Sequence, residues 1–159
     1  MAYQKLQAYS ALELHESDTV EIPDPSSFVM TGQATATTTN KLDMAGASFT
    51  TRGIVKNAIV YNTTDKTAAF VTAVDSDTVL SLSADIMANG ENFDIYNAPT
   101  NGCVLYVGST GDLVVEVAGT AIKNGVDEIT FKNVPVGFFP VQVIKLKANT
   151  TASNIIGLW

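Results

Sequence analysis

The sequence predicts an all-β protein, and three observations lead to this fold class. Short runs of β-branched and aromatic residues recur at the spacing of roughly 8–12 residues that is typical of small barrels and sandwiches. Turn-forming Asn, Asp and Gly residues separate these runs. Helical periodicity is weak almost everywhere, and the only helical turn that we expect covers residues 83–87.

The middle of the chain contains four predicted strands joined by tight turns. Asn and Asp hydrogen-bond to their own backbone and Gly accepts a positive φ, which makes 62–65, 75–77 and 89–91 turns. Asp75 and Asp77 therefore indicate a hairpin rather than a calcium loop, which needs a Gly and a bidentate Glu at fixed spacing. The strands are predicted at residues 58–61, 69–71, 79–82 and 93–96.

The last third of the chain contains four further predicted strands. The first is apolar throughout, which predicts burial on both of its faces. The last has apolar groups on both faces, so we expect it in the centre of a sheet or at an interface. The segment Gly108 to Asp112 lacks the Gly-Lys-Ser/Thr of a phosphate-binding loop and is predicted to be a hairpin turn. The strands are predicted at residues 104–107, 113–117, 127–131 and 141–146.

Two proline-containing segments, 22–27 and 97–102, are predicted domain boundaries. Successive prolines disfavour both a helix and a central strand, so each segment is expected to be a linker. The predicted architecture is a split base domain, resembling a sandwich or barrel, with a small β-barrel inserted into it. The N-terminal arm (1–27) and the C-terminal block (98–159) form the base, and residues 28–97 form the inserted barrel.

The C-terminal block is unusually apolar for its size. Small domains bury a smaller fraction of their surface, so this block is expected to cover its apolar groups partly with the rest of the chain and partly with other subunits. The residues predicted for this core and assembly role are Phe138, Phe139, Val141, Ile144, Leu146, Ile155, Ile156, Leu158 and Trp159.

The composition narrows the classes of partner. Only 16% of residues are charged, the net charge is −7, and Lys and Arg do not cluster, so we expect no nucleic-acid partner. No apolar stretch approaches the length of a membrane span, and the N-terminus lacks a signal-peptide pattern, so we expect synthesis in a bacterial cytoplasm and no membrane. The single cysteine, Cys103, is expected to be a small buried hydrophobic residue.

Candidate catalytic residues are few. The sole histidine, His15, lies in a polar stretch and is expected on the solvated surface, and paired zinc ligands are lacking. No nucleophile-elbow motif surrounds any serine. Carboxylate pairs suited to glycoside hydrolysis stay open, although the aromatic residues do not cluster as a sugar platform would. We therefore predict a non-enzymatic protein with no catalytic, metal-binding or cofactor-binding residues.

Several short segments near the two ends of the chain carry a resemblance to a known family. They read SDTV at 17–20, LYVG at 105–108, GDL at 111–113, ITF at 129–131, NVP at 133–135, PVQV at 140–143 and TTASNIIGLW at 150–159. In this order, and with the closing Leu-Trp, they resemble the spike-base proteins of tailed-phage and gene-transfer-agent heads. The middle segment, with residues 59–65 and 74–82, resembles small β-modules of phage virion proteins. The chain departs from the family pattern by interposing residues 28–97 and by carrying extra residues at 120–126.

The resemblance implies a virion structural protein without cofactors. We expect a capsid decoration (cement) protein that binds the major capsid protein on the outer head surface and stabilises the capsid. It is expected to act as a symmetric homo-oligomer, most simply a homotrimer. The arm, residues 1–14, is expected to add a strand to a neighbour's sheet. Two alternatives stay open: a head-spike or tail-fibre base protein, and a host-receptor or glycan-binding module formed by the inserted segment.

Overall fold

The computed structural model describes residues 8–119 and 128–159, and this part of the chain is all-β, as the sequence predicts. It contains no α-helix, and one 3-10 turn covers Pro25–Ser27. The predicted strand 127–131 begins at a residue outside the described ones. The described strands are β1 Ala11–Glu13, β2 Phe28–Gln33, β3 Lys41–Asp43, β4 Ile59–Asn62, β5 Thr67–Val74, β6 Val79–Leu82, β7 Asn92–Tyr96, β8 Cys103–Ser109, β9 Gly111–Val117, β10 Glu128–Val134, β11 Gly137–Leu146 and β12 Ser153–Leu158.

The strands form two antiparallel six-stranded sheets. The first has the order β1-β12-β8-β11-β9-β10. The second has the order β2-β7-β4-β5-β6-β3. The closed-barrel form expected of the middle segment stays a prediction.

Each sheet belongs to its own compact unit. The C-terminal unit comprises the described residues of Met1–Leu14 and Asn101–Trp159, and the middle unit comprises His15–Thr100. The arm therefore ends at residue 14. Residues 15–27, which the sequence analysis assigns to the base, belong instead to the middle unit.

The two proline-containing segments pair with each other, which explains the shifted boundary. Pro23 and Pro99 form an antiparallel bridge. The Thr100 N–H donates to the Ile22 carbonyl at 2.7 Å. Proline lacks its own N–H, but neighbouring residues can still donate hydrogen bonds and its carbonyl can still accept them. The segments therefore close the middle unit where separate linkers were expected.

The N-terminal arm pairs with its own chain. Ala11 lies opposite Leu158, and the Trp159 N–H donates to the Ser10 carbonyl at 3.0 Å. The described residues of the arm therefore extend the sheet of their own chain, and pairing with a neighbour's sheet stays a prediction. The edge of β12 in the same chain already provides a partner for this strand.

The middle unit has a hydrophobic core of its own. Val60 on β4 lies opposite Ala69 on β5 and Ile95 on β7, and all three are fully buried. Because side chains alternate along a strand, these residues share one face of the sheet. The rings of Phe49 and Phe93, both fully buried, belong to the same core.

In the C-terminal unit, β11 lies between β8 and β9, as predicted for residues 141–146. Burial alternates along β8, where Leu105 and Val107 are fully buried but Val104 and Tyr106 are half-buried. The prediction of burial on both faces of this strand is therefore wrong. Its apolar residues on the second face remain partly accessible, and this is where the candidate site lies.

Two local predictions also differ from the structure. Residues 83–87 form no helical turn, because Ser83 exchanges hydrogen bonds with the Phe70 backbone, while Met87 is buried in the core. The loop between β8 and β9 is not a hairpin turn, since β11 separates these strands. Gly111, the first residue after this loop, lies directly against the Ala152 backbone. A Cβ added to Gly111 would overlap that backbone.

Candidate assembly surface

The structure places the nine predicted core and assembly residues on β11, β12 and the C-terminal residue after them. They differ widely in exposure, so they do not form one continuous surface. Phe139, Leu146 and Ile155 are buried, whereas Val141, Ile144, Ile156, Leu158 and Trp159 are half-buried and Phe138 is 76% exposed.

Cross-strand partners separate these residues onto two faces of the sheet. Phe139 lies opposite Leu105, and both are buried on the core face. Phe138 lies opposite Tyr106, which in turn lies opposite Ile156, on the other face. We call the apolar part of this second face the outer patch, which consists of Val104, Tyr106, Phe138, Ile156 and Leu158.

Phe138 is the most exposed member of the outer patch. Its ring meets the Tyr106 ring edge-on, with centroids 5.8 Å apart and an interplanar angle of 72°. Edge-to-face contact is a favourable arrangement of two aromatic rings, so Tyr106 orients the exposed ring. Burying a Phe side chain fully contributes about 1.5–3 kcal/mol, so covering Phe138 would strengthen the binding of a partner.

A tight turn directly precedes the exposed Phe138. Pro135 and Gly137 interrupt the chain between β10 and β11, and Gly137 has a φ of 137°, which residues with a side chain rarely adopt. Val136, in the same turn, is 54% exposed. Exposed apolar side chains are therefore present both in the sheet, at Phe138, and in the turn before it, at Val136.

Trp159 ends the chain on the core face rather than in the outer patch. Its ring lies over Gly157, where an added Cβ would come within 2.8 Å of the ring, and Leu14 lies close to the same position. The Tyr9 N–H donates to the Trp159 carbonyl at 2.6 Å. Both the ring and the backbone of the last residue are therefore held by the unit.

An ion cluster on β9, β11 and the residue after β11 lies on the same sheet. The Glu116 carboxylate is 3.0 Å from Lys145 Nζ and 2.5 Å from Lys147 Nζ, and the three side chains are only 12–14% exposed. Burial by itself would raise the pKa of Glu116, but hydrogen bonds from Lys147 and Lys145 outweigh it and hold the pKa below its usual value. Glu116 therefore stays ionised. A further carboxylate borders the outer patch itself, because the exposed Glu13 on β1 lies opposite Ile156.

The middle unit contains an aromatic stack that the sequence analysis did not predict. His15 stacks on Tyr61 with centroids 4.2 Å apart, Tyr61 meets Tyr96 edge-on, and Tyr96 meets Phe28. His15 is only 7% exposed, and its Nδ1 lies 3.2 Å from the Thr67 carbonyl oxygen. The prediction of a solvated surface histidine is therefore wrong. Its polar sequence neighbours indicated exposure, but the Tyr61 ring comes from a distant strand.

A serine, a lysine and a carboxylate meet on the middle unit. Lys41 Nζ donates to Ser81 Oγ at 2.6 Å and to Asp75 Oδ2 at 2.7 Å, and Ser81 Oγ donates to the same oxygen. The hydrogen bond from Lys41 is the main cause of the lowered pKa of Asp75. An ammonium group that donates to both partners cannot accept the serine proton, so the arrangement works as a cross-strand ion pair.

Cys103 behaves as the sequence predicts. It is 1% exposed, and burial raises the pKa of its thiol to about 12. Within the part of the chain that the structure describes, no three His, Cys, Asp or Glu side chains meet as metal ligands would. Among residues 8–119 and 128–159, no helix has the length and apolar character needed to cross a bilayer.

Comparison with known proteins finds no matching protein-family model, no similar curated protein and no similar solved structure.

Proposed function

We propose that this chain is a virion structural protein, a capsid decoration protein that binds the major capsid protein on the outer head surface as a symmetric homo-oligomer. The observation that carries the proposal is the exposed Phe138 ring, which Tyr106 holds edge-on within an apolar patch of the sheet. The sequence resemblance to phage spike-base proteins gives the proposal its virion context.

The outer patch has the chemistry of a protein-binding surface. Aromatic side chains at the centre of an apolar patch supply most of the binding energy in many interfaces, while charged residues are depleted there. Tyr106 and Phe138 lie side by side, with Ile156 next to Tyr106 on the adjoining strand. The patch is part of a sheet, so its side chains are held in place before a partner binds.

Co-sedimentation with purified heads that lack this protein tests the proposal. Phe138→Ala should weaken head binding about tenfold or more, because losing about 1.4 kcal/mol of contact energy corresponds to a factor of ten. The thermal unfolding of Phe138→Ala should match that of the unaltered protein, since the ring is already exposed.

Phe28→Ala is the matched control, because Phe28 is an exposed Phe of the middle unit. Head binding should be unchanged in this variant. Equal head binding by Phe138→Ala and the unaltered protein would contradict the proposal. Loss of head binding in the Phe28→Ala variant alone would favour a binding module in the middle unit.

A further inference from the structure

β10 is an edge strand of the C-terminal sheet. In the described chain it pairs with β9 and with no other strand. Its first residues pair in regular register from Glu128 to Phe131, and the register then shifts before Val134. Edge strands present unpaired backbone groups, so they either need protection or accept another strand.

The side chains of β10 form two distinct rows. Ile129 and Phe131 lie opposite Val115 and Leu113 on the core face, and Ile129 is still 38% exposed there. Phe131 meets the Phe139 ring edge-on at 4.8 Å. The apolar core face therefore runs to the edge of the sheet and is open there. The other row consists of the exposed residues Glu128, Thr130 and Lys132.

The sequence of this edge is complementary to itself. In an antiparallel pair of two β10 strands centred on Thr130, Glu128 of each copy lies opposite Lys132 of the other. In the same register, Ile129 of each copy lies opposite Phe131 of the other. Opposite charges and apolar pairs at facing positions both stabilise antiparallel strands.

The charges within one copy are compatible with this arrangement. Glu128 lies opposite Glu116 of its own sheet, whose charge Lys145 and Lys147 already balance. A lysine of a second copy on the open side of Glu128 would place an opposite charge at the facing position. Lys132 contacts Asp112 at 2.6 Å, but its side chain is 69% exposed, so solvent screens that ion pair. The Lys132 ammonium group can therefore also pair with Glu128 of a second copy.

We propose that β10 is a self-pairing edge through which two copies of the chain join antiparallel about a twofold axis at Thr130. The contact is isologous, because the same strand contributes from both copies. It goes beyond capsid binding and does not depend on it, since it requires only a second copy. It predicts assemblies with an even number of chains, so a threefold base would appear as a hexamer.

Sedimentation equilibrium of the full chain over a concentration series tests the contact. The mass should reach an even multiple of the 16.8 kDa chain. Lys132→Glu and Glu128→Lys should each halve that mass, because each places like charges at both facing positions. Mixing the two variants should restore it, since every facing pair is then of opposite charge.

Lys56→Glu, an exposed charge reversal in the middle unit, controls for net charge and should leave the mass unchanged. Thermal unfolding of both β10 variants verifies that they fold. A monomer at every concentration, an odd-numbered assembly, or a mass that Lys132→Glu does not lower would overturn the proposal. If the mixed variants do not re-associate, the proposed pairing of Glu128 with Lys132 across the contact is wrong.

Discussion

Asn62 organises the turn between β4 and β5 through four hydrogen bonds. Its amide donates to the Ile86 carbonyl at 2.6 Å and to Glu91 at 2.9 Å, while its Oδ1 accepts from the Thr64 and Asp65 N–H groups. The side chain is fully buried. A buried polar group is stable only when its hydrogen bonds are satisfied, so each partner depends on Asn62.

Asn62→Ala should lower the free energy of unfolding by about 2–4 kcal/mol, because it leaves buried polar groups without partners. Urea unfolding followed by circular dichroism measures this change. Asn89→Ala, at an exposed turn position, should change the free energy by less than about 0.5 kcal/mol. Equal effects of the two substitutions would refute this role of Asn62.

Single residues also show what the sequence could predict and what it could not. The turn at Asn62 could be predicted, because Asn bonds to the backbone two and three residues ahead. Which of the two neighbouring rings, Phe138 or Phe139, is buried could not be predicted. It depends on which of them faces Leu105, and that register is set by a partner strand more than 30 residues earlier.

At the scale of elements, β11 shows why alternation alone fails in a bent strand. Its register shifts between Phe139 and Val143 and again between Val143 and Lys145. Val143 and Leu146 are both buried although strict alternation places them on opposite faces. A bulge changes the phase of the side chains, and the sequence carries no clear sign of it. The central position of the strand was predictable because both of its faces are apolar.

The ion cluster between β9 and β11 makes stability depend on pH. The folded-state pKa of Glu116 is lowered, so its contribution is present above the ordinary pKa of a glutamate and is lost as pH falls through the lowered value. Asp65 acts in the opposite direction. A hydrogen bond with Glu91 raises its pKa, so its contribution is present at low pH and is lost as pH rises.

Glu116→Gln should therefore reduce the loss of stability on acidification from neutral pH. Thermal melts at a series of pH values between neutral and acidic conditions measure this slope. Glu21→Gln, the same change in the middle unit, should leave the slope close to that of the unaltered protein. If the melting temperature of Glu116→Gln falls as steeply on acidification as that of the unaltered protein, the role of the cluster is refuted.

At the scale of the whole molecule, the chain folds as two units with separate sheets. The boundary after residue 100 falls within the proline-containing segment 97–102, but the boundary after residue 14 lies before the segment 22–27. The pairing of the two segments with each other could not be predicted, because a sequence carries no measure of which distant backbone groups meet. His15 and Ile22 are consequently part of the middle unit, where both are buried.

The fragment 15–100 should fold on its own and unfold cooperatively, because it keeps its core and the paired proline-containing segments. The shorter fragment 28–97 should be less stable or unfolded, since it lacks His15, Ile22 and Pro23. Calorimetry of both fragments measures this difference. Equal melting temperatures would show that residues 15–27 contribute nothing to the middle unit.

The most direct test of capsid decoration is the copy number of this chain in purified virions, quantified by mass spectrometry against the major capsid protein. A decoration protein that coats the head should be present in a fixed ratio to the major capsid protein. It should also remain with the heads after the tails are removed. A few copies per particle would favour a spike or tail-fibre base, and absence from purified heads would contradict the account.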